Sequence, residues 1–448
     1  MRFIILLTAL LIITLSSCKE KKEVNKITEN QYFEKYQLTR DSLTNELDSI
    51  AKQDLINGFG VAIVNDHEVL YTNGFGYADR ENQIKYSEHT VQHIASVSKT
   101  LIGIALMKAQ EMGYLLLDDP IQKYLPFNVI HPIYPKDTIT IRQLATHTSG
   151  INDGENYLNN AWIILPQQNL KNINTHYPYQ RLNSPDKNMP MEDYLKHYLT
   201  KDGKFYQSEN FIPHRPGARY NYSNIGATLA ALIIQRATNI SFDNFTQEYI
   251  LNPLNMDSSG WSFEDIEKSK HSKLYRADNS AIPFYTAITY PDGMLISSSS
   301  DMAKFLVELI KGYSGEGTLL EQNSYKEFFK EQLNNKHFDK DQRNPNHPYD
   351  GDYSPAIFIG HSALGYVGHS GGDAGVGTWL YFNKEKKTGR FIVKNTDNSD
   401  NDNRAKELQY YAIWDKMNEY VDQLDKLSKK ITHQKISSYN SDNGLYDQ

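Results

Sequence analysis

The chain has 448 residues, 39 % hydrophobic and 23 % charged, which is enough apolar sequence for a core and excludes disorder over most of its length. Its net charge of −7 argues against a nucleic-acid partner, since phosphate contacts need a basic face. A single cysteine excludes an intramolecular disulfide and any cysteine-rich zinc or iron–sulfur site.

That cysteine is informative by position. Met1-Arg2 is followed by an apolar run from Phe3 to Leu15 and by Ser16-Ser17. This is a basic start, an apolar stretch too short to remain as a spanning helix, and small residues at its end. Leu15-Ser16-Ser17-Cys18 resembles a bacterial lipobox, in which cleavage leaves Cys18 as a lipidated N-terminus. The alternative is an ordinary secretory signal with an incidental cysteine. The expectation is an exported chain, anchored to a membrane through Cys18, with 1–17 as signal peptide and 18–39 as tether.

Leu43, Leu47, Ile50, Ala51 and Leu55 recur at helical spacing, predicting an amphipathic helix over 40–55. Gly58 to Val64 and Glu68 to Phe75 read as strands joined by the turn Asn65-Asp66-His67. The run Leu101 to Met107 is too uniformly apolar for a surface helix and predicts a central one. Helical segments and Pro/Asn-rich loops then alternate, including Ile225–Arg236, Phe242–Leu251 and Asp301–Leu309. Strands return only at Gly375–Phe382 and Arg390–Lys394, before a helix over 404–430 and a loose polar tail over 431–448. The predicted fold is α/β (α+β): one antiparallel sheet built from both chain ends (about 40–95 and 290–430) and flanked by helices. A mainly helical part (about 96–289) is inserted into it, with the active site between the two.

Three features carry chemistry. Ser96-Val97-Ser98-Lys99 matches S-x-x-K, which also occurs at Ser16/Lys19, Ser49/Lys52 and Ser184/Lys187. Only Ser96 opens a helix that must be buried. There serine and lysine share one face, the helix N-terminus favours a developing oxyanion, and burial favours a neutral lysine base. The competing reading is a capping serine with a snorkelling lysine. Tyr222-Ser223-Asn224 follows Pro216-Gly217 and offers a phenol for proton transfer and an amide for a substrate, or else a buried tyrosine and a helix cap. His369-Ser370-Gly371-Gly372 places glycines at a strand, where a substrate backbone can approach, or else forms a plain glycine turn.

Together and in this order, these features resemble the penicillin-recognising serine hydrolases, specifically the class C β-lactamase and D-Ala-D-Ala carboxypeptidase branch. Ile94-Ala95 and Thr100 around the first motif, Ile141 to Gly150, Pro216-Gly217, and Asp292-Gly293 before Ser297-Ser298 fit as well. The class A enzymes carry S-D-N as their middle motif, whereas tyrosine there points to the class C branch. The resemblance covers about residues 40–400. It implies Ser96 as acylated nucleophile and Lys99 and Tyr222 sharing the proton work. It also implies substrate contacts from Asn224, His369, Ser370 and Gly371, and an oxyanion hole from the backbone N–H groups of Ser96 and Gly372. It implies no cofactor and no metal, and a peptide or small-molecule substrate.

Two departures bear on substrate. The interval from Ser96 to Tyr222 is long for this branch, with the surplus in Asn152–His214, expected to form a lid or wall. His369 stands where the β-lactamases usually carry lysine, and a histidine near its ordinary pKa of about 6.5 is mostly neutral at pH 7. That favours peptidase, amidase or esterase activity over potent β-lactam hydrolysis. Rival readings are a G-x-S-x-G nucleophile elbow at Gly368 to Gly372, which needs a following helix, and a non-catalytic peptide binder on the same fold.

Overall fold

A computed structural model describes residues 29–168, 170, 177, 180–338, 355–362, 364–397 and 404–443, with side chains to residue 434. The signal sequence and Cys18 lie outside the described residues. No helix among those described is long and apolar enough to cross a membrane.

The centre is a seven-stranded sheet, antiparallel throughout, in the spatial order Gly360–His361, Tyr366–Asp373, Val376–Asn383, Thr388–Lys394, Gly58–Asn65, Val69–Asp79, Ile84–Lys85. The two chain ends meet where Gly58–Asn65 pairs with Thr388–Lys394, Val61 opposite Ile392. Every residue of both strands is buried, because both faces of the sheet are covered. Alternation decides which side chain goes where. Phe59, Val61 and Ile63 join Tyr381, Ile392, Trp414 and Leu424 in one core, beneath the terminal helices. Ala62, Val64, Leu380, Phe391 and Val393 face the larger core, which holds the inserted helices.

The terminal helices are Glu29–Ala51 and Arg404–Asn443, and they pack on each other as well as on the sheet. Both exceed their expected lengths. Residues 29–39, expected in the tether, are helical, and residues 431–443, expected in the tail, continue the last helix. The first two turns of the N-terminal helix expose most of their residues, so they carry no apolar periodicity to reveal them.

On the opposite face, the helix Ser299–Ser314 lies against the strands, with Ser298 as its N-cap accepting from the Asp301 N–H at 3.1 Å. The helix Lys99–Glu111 runs through the larger core, buried at every position from Lys99 to Met107, as its uniform apolar run predicts. Around it pack the helices Asn224–Thr238 and Gln322–Phe329. The inserted part is not purely helical: Trp162–Ile164 pairs with Leu182–Asn183 and Tyr285–Ala287. Within Asn152–His214, the helix Met191–Leu199 buries Tyr194, Leu195, Tyr198 and Leu199.

Candidate active site

Ser96 sits in a 3-10 turn, Ala95–Ser98, that feeds directly into the helix starting at Lys99. Ala95, just before it, has φ +47°, a conformation that side chains rarely adopt and that turns the serine out of the preceding strand direction. One helical turn on, the fully buried Lys99 donates from Nζ to Ser96 Oγ at 3.0 Å and to the Asp292 main-chain carbonyl at 2.5 Å. Asp292 belongs to the turn Tyr290–Asp292, so the ammonium ties the motif helix to a segment nearly two hundred residues away. The Asp292 carboxylate faces elsewhere, accepting from Tyr157 Oη at 3.3 Å and Thr228 Oγ1 at 3.1 Å. Burial pushes it up to about 7 despite the neighbouring Lys99 charge.

The Tyr222 ring lies over Lys99, with Nζ 5.1 Å from its centroid. The ring also packs against His147, centroids 4.4 Å apart, and lies 6.2 Å from His369. His147 Nδ1 accepts the Ser223 N–H at 3.2 Å, which leaves the proton of the neutral ring on Nε2. Burial, then Lys99, then His369 hold the His147 pKa well below the ordinary range. His147 itself has φ +55°. Its motif is visible in the sequence, but no role for this side chain could be read there.

Asn224 opens the helix behind Tyr222. The carboxylate of Asp153, from the inserted part, caps that helix: Oδ2 takes the Asn224 N–H at 2.7 Å, and Oδ1 takes the Ile225 N–H and the Ser223 hydroxyl, both at 3.0 Å. A negative group suits a helix N-terminus. Burial still raises the Asp153 pKa, so the hydrogen bonds only partly offset desolvation. No local sequence signal marks Asp153, because its partners lie some seventy positions away.

The third motif lies within the strand Tyr366–Asp373 rather than before a strand, and the chain then turns back into Val376–Asn383. No helix follows, which overturns the nucleophile-elbow reading of Gly368 to Gly372. The strand runs against the Ser96 turn so closely that a Cβ on Gly371 would stand 2.8 Å from Ser96 N and 2.9 Å from the Ile94 carbonyl. A Cβ on Gly372 would meet nothing within 4 Å. His369, buried beside Lys99, donates from Nδ1 to the Ser370 carbonyl at 2.5 Å. Burial, then Lys99, depress it to about 4, so it is neutral at pH 7 by a wider margin than an ordinary histidine. Ser370 pairs with Trp379, and alternation puts its side chain on the face opposite to His369 and Gly371. On the outer side, the described residues pair with this strand from Tyr366 to Gly368, leaving His369 to Asp373 as an open edge.

Ser96, Lys99, Tyr222, His369 and Gly371 are therefore brought to one place, at the seam between sheet and inserted part. Two outcomes check this geometry. Gly371→Ala is expected to cost about 1–3 kcal/mol in urea unfolding, as overpacking does, and Gly372→Ala well under about 1 kcal/mol. The second concerns pH. An unfolded His369 binds a proton below about 6.5, and the folded one does so only below about 4, so its contribution to stability is lost as pH falls through that window. The parent is therefore expected to lose about 2 kcal/mol more than His369→Gln between about pH 7.5 and about pH 4.5, a comparison in which the raised carboxyls of Asp153 and Asp292 cancel.

The family model described as Beta-lactamase matches residues 43–412. Protein flp of Staphylococcus aureus is 27 % identical over 278 residues, covering 60 % of this chain and 49 % of its own length. The chain thus spans about half the length of the curated relatives it matches first. A solved β-lactamase/D-alanine carboxypeptidase from Pseudomonas syringae covers 84 % of this chain and 99 % of its own, at 20 % identity and a TM-score of 0.57. A class C β-lactamase structure covers 84 % and 97 %, at 16 % identity and a TM-score of 0.56. At these identities the structures establish the shared fold, and the match across most of the described chain establishes more: the protein belongs to the β-lactamase family.

Proposed function

We propose that the chain is an exported, lipid-anchored serine hydrolase that works through an acyl-enzyme on Ser96, of the β-lactamase/D-alanyl-D-alanine peptidase type. The observation that carries this is the fully buried Lys99, held between Ser96 Oγ and the Asp292 carbonyl with Tyr222 across it. A lysine placed this way is within proton-transfer reach of the serine.

In the first step the proton of Ser96 Oγ passes to the Tyr222 oxygen, deprotonated beside the Lys99 ammonium, as the serine oxygen adds to the substrate carbonyl. The negative charge that develops on the carbonyl oxygen is met by the N–H groups of Ser96 and Gly372; one such donor in a serine hydrolase is worth about a hundred- to a thousandfold in turnover. The Tyr222–Lys99 pair then delivers the proton to the leaving amine or alcohol, and afterwards takes one from the water that releases the acyl group. Asn224 would orient a substrate amide, and the open edge from His369 to Asp373 suits an extended peptide backbone.

The neutral His369 decides between substrates. It offers no fixed positive charge for a substrate carboxylate, so peptide, amide or ester hydrolysis is favoured over potent β-lactam turnover. The same observation supports a carboxylesterase as the second reading. Export and anchoring rest on Leu15 to Cys18, where multiple acyl chains on Cys18 would hold the chain at a bacterial membrane.

The test is steady-state hydrolysis of p-nitrophenyl acetate alongside D-alanine release from a D-alanyl-D-alanine peptide. Ser96→Ala is expected to fall to background on whichever substrate the parent turns over, and Tyr222→Phe to lose about a hundred- to ten-thousandfold in kcat, the scale of one general acid–base group. Turnover that survives Ser96→Ala contradicts the proposal; no turnover by the folded parent moves the reading to the peptide-binding relative.

A further inference from the structure

Tyr222 stands in the loop that leads into the helix Asn224–Thr238, so no regular element holds it. A phenol that moves a proton needs its oxygen within hydrogen-bond reach of the donor, and a misplacement of about 1 Å can cost about a hundredfold in rate. Something outside the loop has to fix both the main chain and the ring.

His147, buried two residues past the short helix Ile141–Ala145, meets this loop at three points. Its main-chain carbonyl accepts the Asn221 N–H at 2.7 Å, and its Nδ1 accepts the Ser223 N–H at 3.2 Å. The amides one residue before and one residue after Tyr222 are thus bound to a single partner. The imidazole also lies against the phenol ring, centroids 4.4 Å apart and planes 33° apart. His147 is held in turn: its N–H donates to the Leu144 carbonyl at 3.1 Å, and Phe358 and Tyr220 meet its ring edge-on at 5.4 and 6.1 Å.

The side chain answers three demands together. The backbone sits at φ +55°, where histidine and asparagine are enriched among the residues with a side chain. A flat ring is needed against the phenol, and an acceptor is needed for the Ser223 N–H. Asparagine offers the acceptor without the ring, and phenylalanine the ring without the acceptor. Burial, then Lys99, then His369 keep the imidazole neutral, so Nδ1 stays an acceptor and no second cation competes with Lys99 for the phenol.

We propose that His147 is a positioning residue for Tyr222, holding the amides on either side of it and the face of its ring so that the phenol oxygen stays in place for proton exchange with Ser96. The proposal rests on Tyr222 being the proton carrier.

A double-mutant cycle tests it, read as the rate at which a fluorophosphonate probe modifies the full chain, since that reaction needs the Ser96 proton to leave as the oxygen attacks phosphorus. His147→Asn, which keeps the acceptor and removes the ring, is expected to slow labelling by about tenfold or more in the parent. In the Tyr222→Phe background the same change is expected to cost less than about twofold, because nothing is left to position. The same loss in both backgrounds, which packing alone would give, overturns the proposal, as does no loss in the parent. If urea unfolding shows that His147→Asn does not fold, His147→Phe runs the same cycle with the same expectations; if neither folds, His147 serves the fold alone and the proposal fails. Tyr222→Phe labelled at the parent rate overturns the role of Tyr222 itself, and that result is read with His147 intact, so the two failures are told apart.

Discussion

A lysine ammonium cut off from water is the constraint on which the site depends. Lys99 has no exposed surface, and moving such a charge out of water costs several kcal/mol unless nearby groups replace the lost solvent. The replacements come from three directions: the Ser96 hydroxyl from the same helix, the Asp292 carbonyl from a distant turn, and the face of Tyr222 from the loop before the next helix. Its charge then shapes its surroundings. It helps to hold His147 and His369 neutral and draws down the buried carboxyls of Asp153 and Asp292, whose pKa values desolvation alone would raise further.

The backbone has to bring these groups together without filling the space a substrate needs. An open sheet built from both chain ends fixes the glycine strand relative to the motif helix, and Gly371 lets that strand come down onto the Ser96 turn. One residue along, Gly372 borders open space. Tight contact at one glycine and clearance at the next let the strand approach the Ser96 turn while leaving space beside it. Asp153 does the equivalent for Tyr222 and Asn224, because a capped helix start fixes the turn that presents them.

Much of this was legible in the sequence. The strand pair at Gly58 to Val64 and Glu68 to Phe75, the uniform run from Leu101 to Met107, and strands at both ends of the chain led to the sheet with an inserted part. The first motif was readable as well, since S-x-x-K at a buried helix start is local chemistry, whereas the third lies inside a strand rather than ahead of one. What stayed hidden depends on distant partners. Asp153 caps a helix from another part of the chain, and nothing beside it announces that role. The Asp292 carbonyl acts through its main chain, so its side chain gives no clue. The first turns of the N-terminal helix are too exposed to show an apolar stripe, and the positive φ at Ala95 reflects tertiary packing rather than a residue preference.

The most direct measurement of the central claim is the intact mass of the protein after exposure to a fluorophosphonate probe, with peptide mapping of the modified position. The account requires one adduct, on Ser96, and its absence in Ser96→Ala. An adduct on Ser370 instead, or labelling that persists without Ser96, would contradict the assignment of the nucleophile and with it the role given to Lys99.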